Sequence, residues 1–435
     1  MRPIAVFLAV LLCGGRLCAA LPSDAEIRKI LADRAGETRG VGVVVGIVSP
    51  AGRRVITAGN DTSFTGESAF EIGSITKVFT ALLLADMVER KELALSDPAA
   101  KILPNLRIPA HDTHPITLVD LATHTSGLPF MADPPLDAFL AHEQLSRDPG
   151  ADWDYSNVGY WLLGRALEAA GGSDYETLLR TRVLRRLSMS HTTLWAKPVP
   201  GHDASGERSV SVMTIPSYAE MAAAGGLVST TNDLLTFLEI VVHLKRSSLD
   251  RAIALAVSTR RPITSERQQA LGWVVIGNGQ HEILFHDGGT LGFASAMACD
   301  PESQLCVTVL MNQVGDVADI ARHLLTPSFP ITKPVRTTHT EIKLEVTALD
   351  AFTGKYDAPD EGTFTVLRDG DVLAIEAPPD WGLPKLQLHP ETPRDFFARE
   401  LPLRVSFQVD EHGRTTGMLI YPPRGQKPVA ATRAR

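Results

Sequence analysis

Three short segments carry reactive residue types at spacings that chemistry can use. Ser74-Ile75-Thr76-Lys77 sets a hydroxyl and an amine at i and i+3, one helical turn apart on one face and close enough to hydrogen-bond. Burial penalises the charged form of lysine, so a desolvated Lys77 amine could take or relay the Ser74 proton. A helix N-terminus at that point favours developing negative charge. Alone the pattern is weak, because a chain of this length and ordinary composition should contain about one Ser-x-x-Lys by chance; the bland reading is a capping serine and a solvated lysine. Tyr155-Ser156-Asn157 follows 81 residues after Ser74 and places a phenol and an amide on one exposed turn. A phenol near a lysine can ionise. His286-Asp287-Gly288-Gly289 lies 131 residues beyond Tyr155 on a strand, where Gly288 and Gly289 would let a substrate backbone approach closely. Asp287 points away from the face that His286 uses, because strand neighbours alternate.

Other chemistry-bearing residues fit less well. His111 and His114 form a His-x-x-His ahead of Pro115, but no further ligand is placed to complete a site, so they read as surface histidines and no metal is expected. Gly40, Gly42 and Gly46 resemble a dinucleotide fingerprint only superficially; no helix follows to receive a pyrophosphate. Nothing implies an organic cofactor. The formal charge of -8, from 42 Lys+Arg against 50 Asp+Glu, argues against a nucleic-acid partner, which needs clustered basic residues.

The elements that position these residues form a simple order. Asp24 to Ala35 suits a helix, and Val41 to Val48 with Arg53 to Ala58 a hairpin. Ser74 to Glu92 has apolar residues spaced for a largely buried helix. Strand signals return at Trp273 to Ile276, Ile283 to His286, Phe293 to Ala298 and Val307 to Met311, followed by a helical stretch from Val317 to Leu325. Strands at both ends around a helical middle predict an α+β unit with one shared antiparallel sheet. Cys299 and Cys306 flank a turn between two of these runs, which predicts a structural disulfide in an exported chain.

Export is expected from the first twenty residues. Met1 and Arg2 precede an apolar stretch, Ile4 to Leu12, and Cys18-Ala19-Ala20 supplies small residues for cleavage after Ala20; nine apolar residues are too few for the ~20 of a membrane span. Removing Arg2 and Arg16 brings the net charge to -10, and no later stretch of the sequence reads as an integral membrane segment. The expected domains are a signal peptide over 1–20, a catalytic unit over 21–333, a linker over 334–344 and a C-terminal all-β unit, a lipocalin-like barrel, over 345–435. Seven β-rich runs are legible there, and the Pro- and Arg-containing tail from Pro422 is expected to fray.

Taken in order, Ser-x-x-Lys, Tyr-x-Asn and His-x-Gly, with Phe70-Glu71-Ile72-Gly73 before the serine and His124 to Pro129 between, the chain resembles the serine β-lactamase and penicillin-binding-protein superfamily. The resemblance is to its branch of class C β-lactamases, DD-peptidases and family VIII esterases, and runs from roughly Glu26 to Leu325. It implies a β-lactamase/transpeptidase-like fold, an antiparallel sheet flanked by helices. It makes Ser74 the nucleophile, Lys77 its proton-relay partner and Tyr155 the shared acid and base. Asn157 would hold the substrate amide, the N–H groups of Ser74 and Gly289 would form the oxyanion hole, and His286 would orient Tyr155 or bind a substrate carboxylate. The loop with His124 and Ser126 would be scaffold.

The resemblance implies a periplasmic hydrolase acting on peptidoglycan peptides or β-lactams. Export, the His-x-Gly and the appended β-unit favour a D-alanyl-D-alanine carboxypeptidase or endopeptidase that binds penicillin. A class C-like β-lactamase or carboxylesterase is the alternative, and a non-catalytic penicillin-binding sensor a further one, disfavoured because every catalytic position is filled.

Overall fold

The computed structural model describes residues 21–435 except 133–134, 216–218, 278, 280, 333–338, 360, 379–380, 382, 384, 400–402, 423–426 and 435. The expected signal segment and the first half of the expected linker lie outside the described residues.

Helix α1 (Asp24–Ala35) opens with a capping box in which Ser23 and Glu26 satisfy each other's backbone N–H groups. Strands β1 (Gly42–Ser49) and β2 (Gly52–Gly59) form the expected hairpin. After β3 (Ala69–Glu71) a 3-10 turn, Gly73–Ile75, runs into helix α2 (Thr76–Glu89). Every residue from Thr76 to Met87 is buried, as expected for a helix that is apolar all round rather than striped. Helix α3 (Asn157–Gly171), strand β4 (Val228–Thr230) and helices α4 (Thr231–Val241) and α5 (Asp250–Ser258) surround it. The chain then lays down β5 (Arg260–Thr264), β6 (Arg267–Ala270), β7 (Val274–Gly277), β8 (Glu282–Gly289), β9 (Ala294–Asp300) and β10 (Leu305–Met311), and ends this unit with helix α6 (Ala318–Leu325).

These strands make one antiparallel eight-stranded sheet, ordered β2-β1-β10-β9-β8-β7-β6-β5. Pairing of β1 with β10, with Val45 opposite Val309, joins the two ends of the unit. Alternation along the strands feeds two cores: Val44, Leu284 and Leu310 pack toward α2, while Val43, Ala296 and Val309 pack with Ile27 and Leu31 of α1 and Ile320 of α6. The buried pair Arg34–Asp319, at 2.7 Å, ties α1 to α6, and Thr332 bonds to both partners. Strands β5 and β6 are not legible in the sequence, because Arg260, Arg261, Arg267 and Gln268 give an edge hairpin a polar rather than a β-like pattern. Cys299 and Cys306 face each other across β9 and β10 and are joined by a disulfide.

The C-terminal unit is a closed antiparallel barrel. Its strands are β11 (Gly354–Ala358), β12 (Gly362–Asp369), β13 (Val372–Glu376), β14 (Leu386–Pro390), β15 (Asp395–Phe397), β16 (Arg404–Val409), β17 (Thr415–Tyr421) and β18 (Val429–Arg433). Tyr356, Phe364, Phe396, Phe407 and Met418 are among the side chains that pack in its core, so the centre is filled rather than open. The tail corrects the sequence reading: β18 does not fray but bridges β17 and β11, removing two edges that would otherwise stay unpaired.

Candidate active site

Ser74 lies in the 3-10 turn and Lys77 in the first turn of α2. Lys77 Nζ is 3.1 Å from Ser74 Oγ and donates to Asn157 Oδ1 and to the Ala224 carbonyl, each at 2.7 Å. The residue is fully buried. Burial pushes its amine well below the ordinary lysine value, with the Asp287 charge acting in the opposite sense. The geometry gives this shift a chemical meaning. A neutral amine has two hydrogens, and two carbonyl oxygens take both, so the nitrogen lone pair is left toward Ser74 Oγ.

Asn157 opens α3, and Ser156 caps that helix by accepting from Gly159 N–H at 2.8 Å while its hydroxyl donates to the Pro129 carbonyl at 2.7 Å. Tyr155 thus sits one residue before a fixed helix start. Its ring centroid is 4.9 Å from Lys77 Nζ, which sets the amine against the phenol ring. His124 stacks on it at 4.2 Å, Phe130 lies at 5.7 Å and Trp153 at 6.4 Å. Trp153 is held in turn by donation to Gln269 Oε1 at 3.1 Å.

The end of β8 closes the cleft from the other side. A Cβ at Gly288 would collide with the Ile72 carbonyl and stand 2.6 Å from Ser295 Oγ and 3.0 Å from Ser74 N, while a Cβ at Gly73 would stand 2.7 Å from Gly289 N. Both glycines are therefore required for the strand and the Ser74 turn to touch. Gly73 has φ +49, a left-handed value that costs glycine little. Ser295 Oγ donates to the Ile72 carbonyl at 2.8 Å and pins the contact. His286 is buried, and its Nδ1 is 2.6 Å from the Asp287 carbonyl; a carbonyl only accepts, so Nδ1 carries the hydrogen and Nε2 is bare in the neutral ring. Burial, opposed by Asp287 and reinforced by Lys77, pushes its pKa down to about 4.

The structure therefore brings Ser74, Lys77, Tyr155, Asn157, His286, Gly288 and Gly289 to one cleft. It adds groups to which the sequence reading gave no role. The Ala224 carbonyl orients Lys77, and Leu227 N–H donates to Thr76 Oγ1 at 3.1 Å, so the Ala224 to Thr230 segment packs along the start of α2. Glu71 is buried and accepts from Ser211 Oγ and from Val212 N–H, and burial raises its pKa. A backbone carbonyl has no residue signature, and Glu71 is three residues from Ser74 without a spacing rule to mark it. Away from the cleft, His111 and His114 both meet Asp148, at 2.7 and 3.2 Å. Among the described residues no group of three or more His, Cys, Asp or Glu is arranged to hold a metal, and no helix is long and apolar enough to cross a membrane.

Comparison with known proteins agrees with this arrangement. The Beta-lactamase family profile matches residues 27–326. The chain is 29% identical over 287 residues to the D-alanyl-D-alanine-carboxypeptidase/endopeptidase AmpH of Escherichia coli K12, covering 59% of this chain and 74% of that protein. It is 24% identical over 392 residues to penicillin-binding protein 4* of Bacillus subtilis, covering 79% of this chain and 83% of the relative. Among solved structures, a class C beta-lactamase from Rhodobacter sphaeroides superposes with a TM-score of 0.60 at 23% identity, over 70% of this chain and 97% of its own, a likeness of fold. With the sheet, the Ser74 turn and the family profile all falling within the same three hundred or so residues, the chain belongs to the Beta-lactamase family and is a serine hydrolase.

Proposed function

We propose that this hydrolase is a periplasmic, penicillin-binding D-alanyl-D-alanine carboxypeptidase or endopeptidase acting on peptidoglycan peptides. The observation that carries the reading is the fully buried Lys77 amine, 3.1 Å from Ser74 Oγ and held at 2.7 Å from the Asn157 and Ala224 oxygens, where its neutral form could take the serine proton. In the proposed reaction Ser74 Oγ attacks the carbonyl carbon of the penultimate D-alanine and passes its proton to the Lys77–Tyr155 pair. The oxyanion that forms is met by the N–H groups of Ser74 and Gly289. The C–N bond then breaks as Tyr155 protonates the leaving amine, and D-alanine or the cross-linked amine departs. Water attacks the resulting Ser74 ester, giving its proton to Tyr155; the serine leaves protonated and the shortened peptide carries the new carboxylate. Asn157 holds the amide carbonyl of the acyl side. The AmpH relative, named for this activity, supports the peptidase reading.

A carboxylesterase reading has one point in its favour: an uncharged His286 supplies no permanent cation for the carboxylate that a D-alanyl peptide and a β-lactam both carry. A muropeptide assay separates the readings. Release of D-alanine from pentapeptide muropeptides, with slow turnover of a bound penicillin, is expected. Rapid nitrocefin hydrolysis without D-alanine release would instead identify a β-lactamase, and turnover of p-nitrophenyl esters alone a carboxylesterase.

A further inference from the structure

His124 grips the Tyr155 segment at three points. Its backbone carbonyl accepts from Asp154 N–H at 2.7 Å, its Nδ1 accepts from Ser156 N–H at 3.1 Å, and its ring stacks on Tyr155 at 4.2 Å and 28°. One residue thus holds the amide before Tyr155, the amide after it and the face of its ring. The grip is itself constrained. His124 has φ +57, a left-handed conformation that few side chains adopt, and Thr125 N–H donates to Asp120 O at 2.9 Å just beyond it. Tyr160, 5.0 Å away, backs the ring, and Trp153 stands at its edge.

The hydrogen-bond arrangement fixes the charge of the ring. An Nδ1 that accepts an amide hydrogen cannot also carry one, so the hydrogen is on Nε2 and the ring is neutral. His124 is buried, and Nε2 makes no hydrogen bond to a described residue. A histidine kept only to hold the loop would be expected to use both nitrogens, because a buried donor left unpaired is costly. Lys77 and His286 are the charged or titratable groups facing it from α2 and β8, and both, together with burial, oppose its protonation.

We infer that His124 is the positioning residue of Tyr155, a neutral shelf that fixes the phenol between Lys77 and the cleft. This rests on the Ser74 acyl-enzyme reading, in which Tyr155 is the acid and base. The test is a double-mutant cycle with His124→Asn and Tyr155→Phe, read as the rate of covalent labelling by a fluorescent penicillin across pH. Asparagine tolerates the left-handed backbone and offers an amide oxygen to Ser156 N–H, and it lacks the ring. His124→Asn should slow labelling of the folded protein roughly tenfold and displace its pH profile, yet cost nothing further in the Tyr155→Phe background, as for residues that act through one another. Equal losses in both backgrounds, with an unmoved pH profile, would overturn the proposal. If His124→Asn does not fold, His124→Gly, which adopts the left-handed backbone freely and lacks the ring, takes its place in the cycle with the same slowing and displaced pH profile expected; equal losses in both backgrounds would overturn the proposal. A substrate-free reading runs beside it: the ultraviolet phenolate titration of Tyr155, isolated by subtracting the Tyr155→Phe spectrum, should shift in His124→Asn. A wild-type protein that no penicillin labels would refute the acyl-enzyme reading instead, and an unmoved titration would then refute the role of His124 separately.

Discussion

Replacing Gly288 by alanine tests whether the oxyanion contact depends on the absence of a single carbon. The added Cβ would collide with the Ile72 carbonyl, with Ser295 Oγ at 2.6 Å and Ser74 N at 3.0 Å on its other sides. Neither Ile72 nor Ser74 can yield cheaply, since each obstacle is backbone and the Ile72 N–H is bonded to the Leu227 carbonyl at 3.0 Å. Clearing the carbonyl would therefore part strand β8 from the nucleophile turn by about 1 Å, an overpacking cost of roughly 1–3 kcal/mol. A displacement of that size at reacting groups costs on the order of 100-fold in rate. Stopped-flow acylation by a chromogenic ester or a fluorescent penicillin, alongside thermal unfolding, would read both effects. The expected result is acylation slowed about 100-fold in a folded protein with a modestly lower Tm. Acylation within about threefold of wild type would show that β8 does not set the distance between Gly289 N–H and Ser74, and would refute the close-approach argument.

Two further perturbations follow from the cores and charges. Because the folded His286 pKa lies at about 4 and the unfolded one near 6.5, the native state binds fewer protons between these values. Stability from keeping this ring neutral is then complete above pH 6.5 and falls as pH drops toward 4, by up to about 3 kcal/mol. Urea denaturation at pH 7 and pH 4 should show that much less acid sensitivity in His286→Gln, and equal sensitivity would contradict the assignment. Deleting residues 428–435 removes β18 and leaves β11 and β17 each with an open edge; the barrel should lose its unfolding transition and the protein should aggregate, whereas a wild-type melting profile would show that the tail is dispensable.

The candidate site was legible in the sequence because each proposed catalytic residue sits in a short, ordered segment, and the i to i+3 contact of Ser74 and Lys77 survives even though the turn at Ser74 is 3-10 rather than α. The long, almost wholly apolar run of α2 and the short apolar runs of the central strands were likewise plain. What escaped were features that depend on tertiary partners. Edge strands β5 and β6 are polar, and β18 has its meaning only once β11 lies beside it. Ala224 contributes a carbonyl, which any residue could supply. His124 reads as scaffold until its ring is seen against Tyr155.

The central claim is that Ser74 is the nucleophile of a covalent mechanism. Intact-protein and peptide mass spectrometry after brief exposure to a penicillin tests it most directly. One adduct is expected, carried by the peptide containing Ser74 and absent from Ser74→Ala. A folded wild-type protein that stays unmodified, or a Ser74→Ala protein that still takes up the adduct, would contradict it.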